Sequence, residues 1–94
     1  MKIYLSPLAQ QQLPVLMDYL EENRPPKVRD NFLDKLDASL SVIAAQPEAF
    51  PASQKMPGLR RCIITPQTIP YYRIQQNEIE VVALNDARRD IGLP

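Results

Sequence analysis

Ten prolines against only two glycines divide this 94-residue chain into segments. A proline inside a helix removes one backbone hydrogen bond, so a proline-free stretch with helical spacing is informative. The stretch between Pro26 and Pro47 is of this kind, and it predicts a helix from about Lys27 to Gln46. The apolar stripe of this helix consists of Val28, Phe32, Leu36, Leu40 and Ile43.

A first helix is predicted to begin at Ser6-Pro7, because serine is a good N-cap and proline suits the first helical position. Its apolar positions are Ala9, Leu13, Leu16, Met17 and Leu20. Pro14 interrupts this pattern at a cost of roughly 3 kcal/mol, so the helix either kinks there or begins near Leu13. Pro25-Pro26 ends it, and the short connection predicts an antiparallel helical hairpin.

After Pro47 the helical spacing disappears. Residues 47–58 carry three prolines and no period, which predicts a loop. Strands are predicted at residues 2–5, 59–65, 69–74 and 79–84, with a tight polar turn at 75–78. Pro70 cannot donate to a neighbouring strand, so that end of its strand is expected to be unpaired or at an edge.

The chain is therefore expected to form one α+β domain over residues 1–94, in the order β-α-α-β-β-β. Short loops join the last three strands, which predicts an antiparallel meander. The helical hairpin is expected to cover one face of this small antiparallel sheet.

The composition excludes several classes of function. Eleven Lys and Arg balance eleven Asp and Glu, which disfavours a free-standing nucleic-acid binder. No apolar run approaches the roughly 20 residues of a membrane-spanning helix. There is no histidine and only one cysteine, Cys62, so zinc sites and histidine-based nucleophile pairs are excluded. We expect no metal, no cofactor, no membrane association and a reducing compartment.

Five arginines form the first candidate constellation: Arg60, Arg61, Arg73, Arg88 and Arg89. They lie on the predicted strands or just beyond the last one, and no lysine accompanies them after residue 55. Since the guanidinium fork matches carboxylate and phosphate groups, the cluster favours an anion-binding site. For any single arginine, the simpler interpretation is a solvated or ion-paired side chain. Strand alternation places Arg60 and Arg61 on opposite faces, and the sequence leaves open which of them is buried.

Two adjacent tyrosines form the second candidate. Tyr71 and Tyr72 are expected to point to opposite faces of their strand, so that one belongs to the core. The other is available in this interpretation to stack on a base or on an aromatic ring of a partner.

Six short segments follow one another in a characteristic order. They are Ser6-Pro7-Leu8-Ala9, the run from Ile43 to Pro51, Leu59-Arg60-Arg61, Tyr71-Tyr72-Arg73-Ile74, Val81-Val82-Ala83-Leu84 and Ala87-Arg88-Arg89-Asp90. Together they resemble the RelE/ParE superfamily of bacterial toxin–antitoxin toxins, over nearly the whole chain. The β-α-α-β-β-β order, which rests on the spacing of apolar residues and prolines, agrees with the fold that this resemblance implies.

The resemblance implies a cytoplasmic toxin that arrests growth, contributes to plasmid maintenance and is neutralised by a cognate antitoxin in a hetero-oligomer. RelE-like members cleave messenger RNA on the ribosome, whereas ParE-like members poison DNA gyrase. The zero net charge, the absence of histidine and the lack of a C-terminal tyrosine favour the ParE-like branch. Asp86 stands where many relatives carry histidine before the arginine pair, which further weakens a nuclease interpretation.

The resemblance also implies roles for particular residues. We expect target binding by Arg60, Arg61, Arg73, Arg88, Arg89 and Tyr72, with no catalytic residue. Antitoxin contacts are expected at Leu13, Leu16, Leu20 and Phe32 on the helical hairpin. One alternative is a ribosome-dependent endonuclease, in which Tyr72 would be the acid–base group despite an ordinary pKa near 10. Another is a degenerate homologue that retains only antitoxin binding.

Overall fold

Two helices pack on one face of a four-stranded sheet in the computed structural model, which describes residues 1–65 and 68–85. The elements are β1 (Lys2–Leu5), α1 (Pro7–Asn23), α2 (Pro26–Ala45), β2 (Arg60–Arg61), β3 (Ile69–Gln75) and β4 (Glu78–Asn85). This order confirms the predicted α+β fold. The observed bounds of both helices lie within about one residue of the predicted ones.

The sheet is mixed, and this corrects the expectation of a purely antiparallel one. Its strand order is β1-β4-β3-β2. The last three strands are antiparallel neighbours as predicted, but β1 pairs in parallel with β4, with Leu5 opposite Val81. Parallel neighbours require a long crossover, and the helical hairpin together with β2 and β3 supplies it.

Helix α1 begins at the predicted cap. The Ser6 hydroxyl accepts a hydrogen bond from the Ala9 amide at 3.0 Å and donates one to the Val82 carbonyl at 2.6 Å. The helix runs continuously through the exposed Pro14, so it does not begin near Leu13. The N-cap therefore both starts α1 and joins it to β4.

The same helix replaces a missing strand. β1 ends at Leu5, opposite Val81, so the rest of β4 has no strand on that side. There the Leu84 amide donates to Oε1 of Gln12 at 2.7 Å. Since a buried backbone donor without a partner is costly, this side chain satisfies a group that the short β1 leaves unpaired.

The expectation for Pro70 is wrong. Pro70 is buried in the interior strand β3, opposite Leu84 of β4, and its carbonyl accepts from the Cys62 amide at 3.1 Å. Backbone N and O of one strand residue point the same way, so the missing N–H faces away from β4. It faces Cys62, just beyond the end of β2 at Arg61. Pro70 therefore accepts a hydrogen bond from Cys62 but cannot donate the reciprocal one, and the ladder between β2 and β3 stops there.

Only two residues of the predicted strand 59–65 are in β2, whereas the hairpin between β3 and β4 agrees well with the prediction. Gln76 and Asn77 form its turn with φ values of 53° and 61°. Two consecutive positive φ values are typical of the two-residue turns that match the twist of a hairpin.

The sheet separates two groups of buried apolar residues. The main core, between the sheet and the helices, contains Ala9, Ile43, Cys62, Tyr72, Ile79, Val81 and Leu84. A smaller cluster on the outward face, away from the helices, contains Leu59, Ile69 and Tyr71, with Met56 and Val82 packed against it. Residues next to each other on a strand are therefore in different environments. This alternation determines which of the candidate arginines are buried and which are accessible.

Candidate functional site

The register of β2 against β3 answers the question left open for the paired arginines. Arg60 lies opposite Tyr72, and Arg61 lies opposite Tyr71. Since Tyr72 belongs to the main core and Tyr71 to the outward cluster, Arg60 faces the helices and Arg61 faces outward. Arg60 is half-buried and Arg61 is exposed.

Arg60 and Tyr72 together hold the segment that follows α2. Nη1 of Arg60 donates to the Phe50 carbonyl at 2.6 Å and to the Glu48 carbonyl at 3.2 Å. The Tyr72 hydroxyl donates to the Pro47 carbonyl at 2.6 Å. The Phe50 ring meets the Tyr72 ring edge to face, with centroids 6.4 Å apart and planes at 85°. We call these two side chains and the three carbonyls they bind the loop clamp.

The loop clamp determines what Tyr72 can do chemically. Its side chain is 0% exposed, and burial raises the pKa of its hydroxyl, an effect that the Arg60 charge partly opposes. The pKa of the buried Cys62 thiol is also raised by burial. A buried phenol with a raised pKa and an occupied hydroxyl is poorly placed for proton transfer near neutral pH.

The expected stacking role of a tyrosine does not fit this geometry. Tyr72 is 0% exposed and Tyr71 only 4% exposed, so neither ring is accessible to a base or a partner. The sequence expectation that only one of the two would be buried is corrected, because both faces of β3 are covered at this level of the sheet.

The outward face carries the two accessible arginines of the described sheet. Arg73 lies two residues beyond Tyr71 on β3, so it shares this face with Arg61. Arg73 is paired with Glu80 of β4, with Nε 2.9 Å and Nη2 2.8 Å from Oε1. Arg61 has no side-chain partner among residues 1–65 and 68–85.

The structure therefore separates the predicted arginine cluster. Arg60 belongs to the loop clamp, while Arg61 and Arg73 lie together on the outward face. Arg88 and Arg89 lie outside the described residues. The three arginines in the described part of the chain therefore do not form one shared site.

The expected antitoxin residues also divide into two groups. Leu16, Leu20 and Phe32 line an open cavity of about 210 Å³ that is bounded by α1, α2, Thr65 and Thr68, and we call it the hairpin cavity. Leu13 instead packs against the main core. Three of the four predicted contacts thus border one accessible space.

Two residues at the mouth of this cavity were not predicted from the sequence. Arg24 and Lys35 are exposed and contribute to its lining. Each is a single cation at the end or on the side of a helix, a pattern that is ordinary for a solvated surface. Only the packing of α1 on α2 places them around an apolar space.

Neither a metal site nor a membrane span is found in the described part of the chain. Residues 1–65 and 68–85 contain no cluster of three or more side chains suited to hold a metal ion. No helix there combines the length and apolar character needed to cross a bilayer.

Comparison with known proteins gives both a family match and a set of similar folds. A family model described as the ParE toxin of the type II toxin–antitoxin system parDE matches residues 3–91. No curated protein matches the chain.

Three solved structures illustrate the similarity of fold. The chromosomal ParDE system from P. aeruginosa has a TM-score of 0.75 at 16% identity, covering 92% of this chain and 95% of that one. A YoeB/ParE toxin from Agrobacterium tumefaciens has a TM-score of 0.65 at 15% identity, with 92% and 98% covered. The YoeB–YefM complex from Staphylococcus aureus gives 0.60 at 15% identity, with 90% and 94% covered. At such identities the likeness establishes the fold.

Proposed function

Because the chain belongs to the ParE toxin family of type II toxin–antitoxin systems, we propose that it inhibits DNA gyrase and so arrests growth. The observation that carries this proposal is the match of residues 3–91 to the ParE model. Action on gyrase is what the resemblance to ParE-like toxins implies. The zero net charge supports it, since a ribosome-binding nuclease of this superfamily is typically basic.

The state of Tyr72 supports binding over bond cleavage. A ribonuclease of this fold needs a group that transfers protons near the scissile phosphate. The chain has no histidine, and the Tyr72 hydroxyl donates to the Pro47 carbonyl within the loop clamp. Burial also raises the pKa of this hydroxyl, away from the range useful for acid–base catalysis.

The target contacts that we propose are the outward-facing arginines together with the C-terminal pair. Arg61 and Arg73 share the outward face, and Arg88 with Arg89 follow β4 along the chain. Guanidinium groups would pair with carboxylates of gyrase or with DNA phosphates beside the cleavage complex. Holding that complex in its cleaved form would leave broken DNA and stop growth.

Arg61 and Arg73 would enter such an interface at different cost. Arg61 has no partner to give up in the described structure. Arg73 must exchange Glu80 for an anion of the target, but its own side chain is about half exposed, so the ion pair is weak. Arg60 contributes indirectly, because its guanidinium binds backbone carbonyls.

We also propose that the antitoxin binds the helical hairpin. Leu16, Leu20 and Phe32 border the hairpin cavity, while Leu13 supports the helix from the core side. A partner that folds on binding is suited to cover such a surface. The active toxin would act in the cytoplasm, where its proposed target is found, and would be stored there as a hetero-oligomer with the antitoxin.

A side-by-side assay tests the proposed target. The purified chain should block supercoiling by gyrase and leave ribosome-bound messenger RNA intact. Cells expressing it without antitoxin should form filaments with DNA damage. Messenger cleavage with normal supercoiling would instead identify an endoribonuclease, and no growth effect would identify a degenerate homologue.

The arginine pair after β4 gives the sharpest variant. The double substitution Arg88→Ala and Arg89→Ala is expected to abolish toxicity while the far-UV circular dichroism spectrum and antitoxin binding are retained. Lys2→Ala, on the exposed part of β1, is the control and should remain fully toxic. Full toxicity of the arginine double variant would place the target site elsewhere.

A further inference from the structure

We infer that the hairpin cavity anchors one large apolar side chain of an acidic segment of the antitoxin, with Arg24 and Lys35 binding the carboxylates beside that anchor. This inference rests on the proposed antitoxin interaction and adds the chemistry by which the partner is recognised. It does not depend on whether gyrase or the ribosome is the target.

The dimensions of the cavity fit a single side chain. Its volume is about 210 Å³, which is below the about 300–1,000 Å³ usual for small-molecule pockets. Its apolar walls come from both helices, with Leu16 and Leu20 on α1 and Val28 and Phe32 on α2. Phe32 is buried and the two leucines are half-buried, so an entering side chain would cover apolar surface that is only partly shielded from water.

The charges around the cavity select an acidic partner. Arg24 and Lys35 line it, and none of the described residues that line it is acidic. Neither cation has a carboxylate partner within residues 1–65 and 68–85; Arg24 reaches only the Asn23 carbonyl, at 3.3 Å. Two exposed cations at the border of an apolar cavity match the arrangement of an apolar anchor surrounded by complementary rim charges.

The rest of the hairpin surface strengthens this selection. Six exposed carboxylates lie elsewhere on the two helices: Asp18, Glu21, Glu22, Asp30, Asp34 and Asp37. An acidic segment would be repelled by these groups and attracted by the four cations of the hairpin, Arg24, Lys27, Arg29 and Lys35. Of these four, only Arg24 and Lys35 line the cavity, so charge and apolar contact coincide there.

Titration by NMR with designed peptides tests the inference on the intact chain. The probe is an N-acetylated, C-amidated alanine-based helical peptide with one central phenylalanine and a glutamate one turn to either side. We expect it to shift the backbone amide signals of Leu20, Val28 and Phe32 in a saturable manner. Matched peptides with lysine in place of glutamate, or alanine in place of phenylalanine, should bind at least about tenfold more weakly.

Charge reversal provides the matched variants. The combined substitutions Arg24→Glu and Lys35→Glu should weaken the glutamate peptide about tenfold and remove its advantage over the lysine peptide. Both residues are exposed, so folding should be retained, as checked by the circular dichroism spectrum. Lys2→Glu, on β1 and away from the cavity, is the control and should change the affinity by less than about twofold.

Three outcomes would overturn the inference. They are equal binding of the glutamate and lysine peptides, unchanged affinity after the double reversal, and amide shifts at the cavity caused by dilution of the protein alone. The last would assign the cavity to a second copy of the chain. If the glutamate peptide binds as expected but the chain fails to inhibit gyrase, only the proposed target is contradicted, because the peptide assay contains no gyrase.

Discussion

Arg60 and Arg61 are neighbours on one short strand, yet the fold uses them in different ways. Arg60 faces the helices and donates to the carbonyls of Glu48 and Phe50. Arg61 faces outward beside Tyr71 and has no side-chain partner in the described part of the chain. One guanidinium stabilises the protein, and the other is available to a partner.

The difference shows why residue type alone does not identify a binding site. A half-buried guanidinium must be hydrogen-bonded, because a buried donor without a partner costs free energy. Arg60 meets that requirement inside its own chain. An exposed guanidinium is satisfied by water and can exchange it for a carboxylate or a phosphate. Burial thus separates a structural arginine from a candidate binding arginine.

The largest expected effect in this comparison comes from Arg60→Met. It keeps much of the side-chain volume but leaves the two carbonyls without their donor, so the free energy of unfolding should fall by about 2 kcal/mol. Arg61→Met should change it by less than about 0.5 kcal/mol, because the side chain is exposed. Urea unfolding followed by circular dichroism measures both.

The same two variants should have the reverse order in the supercoiling assay. At a temperature where both are folded, Arg61→Met should raise the concentration needed for half-inhibition of gyrase by about tenfold, the loss of one charge-assisted contact. Arg60→Met should leave that concentration within about threefold of the wild-type value, since a structural substitution away from the contact is felt weakly. Equal loss of inhibition in both variants would contradict the distinction between the two arginines.

A smaller effect is expected from the phenol of the loop clamp. At pH 7, Tyr72→Phe should cost about 1 kcal/mol, because the hydrogen bond to Pro47 is lost. Burial raises the pKa of Tyr72 above its ordinary value of 10.0 in the folded chain. The folded state therefore keeps a proton that the unfolded chain releases above about pH 10.

The sign of the pH dependence follows from this difference. The contribution of Tyr72 to stability is complete below about pH 10 and is lost as the pH rises through its folded pKa. Unfolding free energies between about pH 9 and 11 should fall less steeply in Tyr72→Phe than in wild type. Both proteins should carry Cys62→Ala, because burial raises the pKa of that thiol as well and would add to the slope. Parallel pH profiles would show that the hydroxyl is not protected in solution.

The smallest effect is expected for the ion pair on the outward face. Arg73 has a side chain that is 48% exposed, against 16% for Glu80. Glu80→Gln should therefore lower stability by only about 0.2–1 kcal/mol, and by less at about 1 M salt. Because Arg73 then no longer has a carboxylate partner, gyrase inhibition should improve about twofold. Weaker inhibition would show that Glu80 itself contributes to the interface.

Much of the fold was predictable because its determinants are local. Ser6-Pro7 begins α1 through a hydrogen bond to a residue three positions away, and Gln76-Asn77 forms a turn from its own backbone angles. The pairing of β1 with β4 was not predictable in this way. Leu5 and Val81 are far apart in sequence, and the periodicity of either strand is the same for parallel and antiparallel partners.

The candidate site shows the same division. The sequence indicated that arginines of β2 and β3 were of interest, but it left the buried member of the Arg60–Arg61 pair open. The prediction for Pro70 was wrong because the sequence does not show to which side of β3 its missing N–H points. In the structure it points to the side where β2 ends. The cationic border of the hairpin cavity gave no local signal, since Arg24 and Lys35 come from different helices.

By itself the sequence determined the order of the elements, the family resemblance and the absence of histidine chemistry. Those properties depend on residue types and on spacings of a few positions. The tertiary structure decided which guanidiniums are occupied, that both tyrosines of β3 are buried, and where the hairpin is open to a partner. These depend on strand register and helix packing, which bring together residues distant in the chain, and no local pattern specifies them.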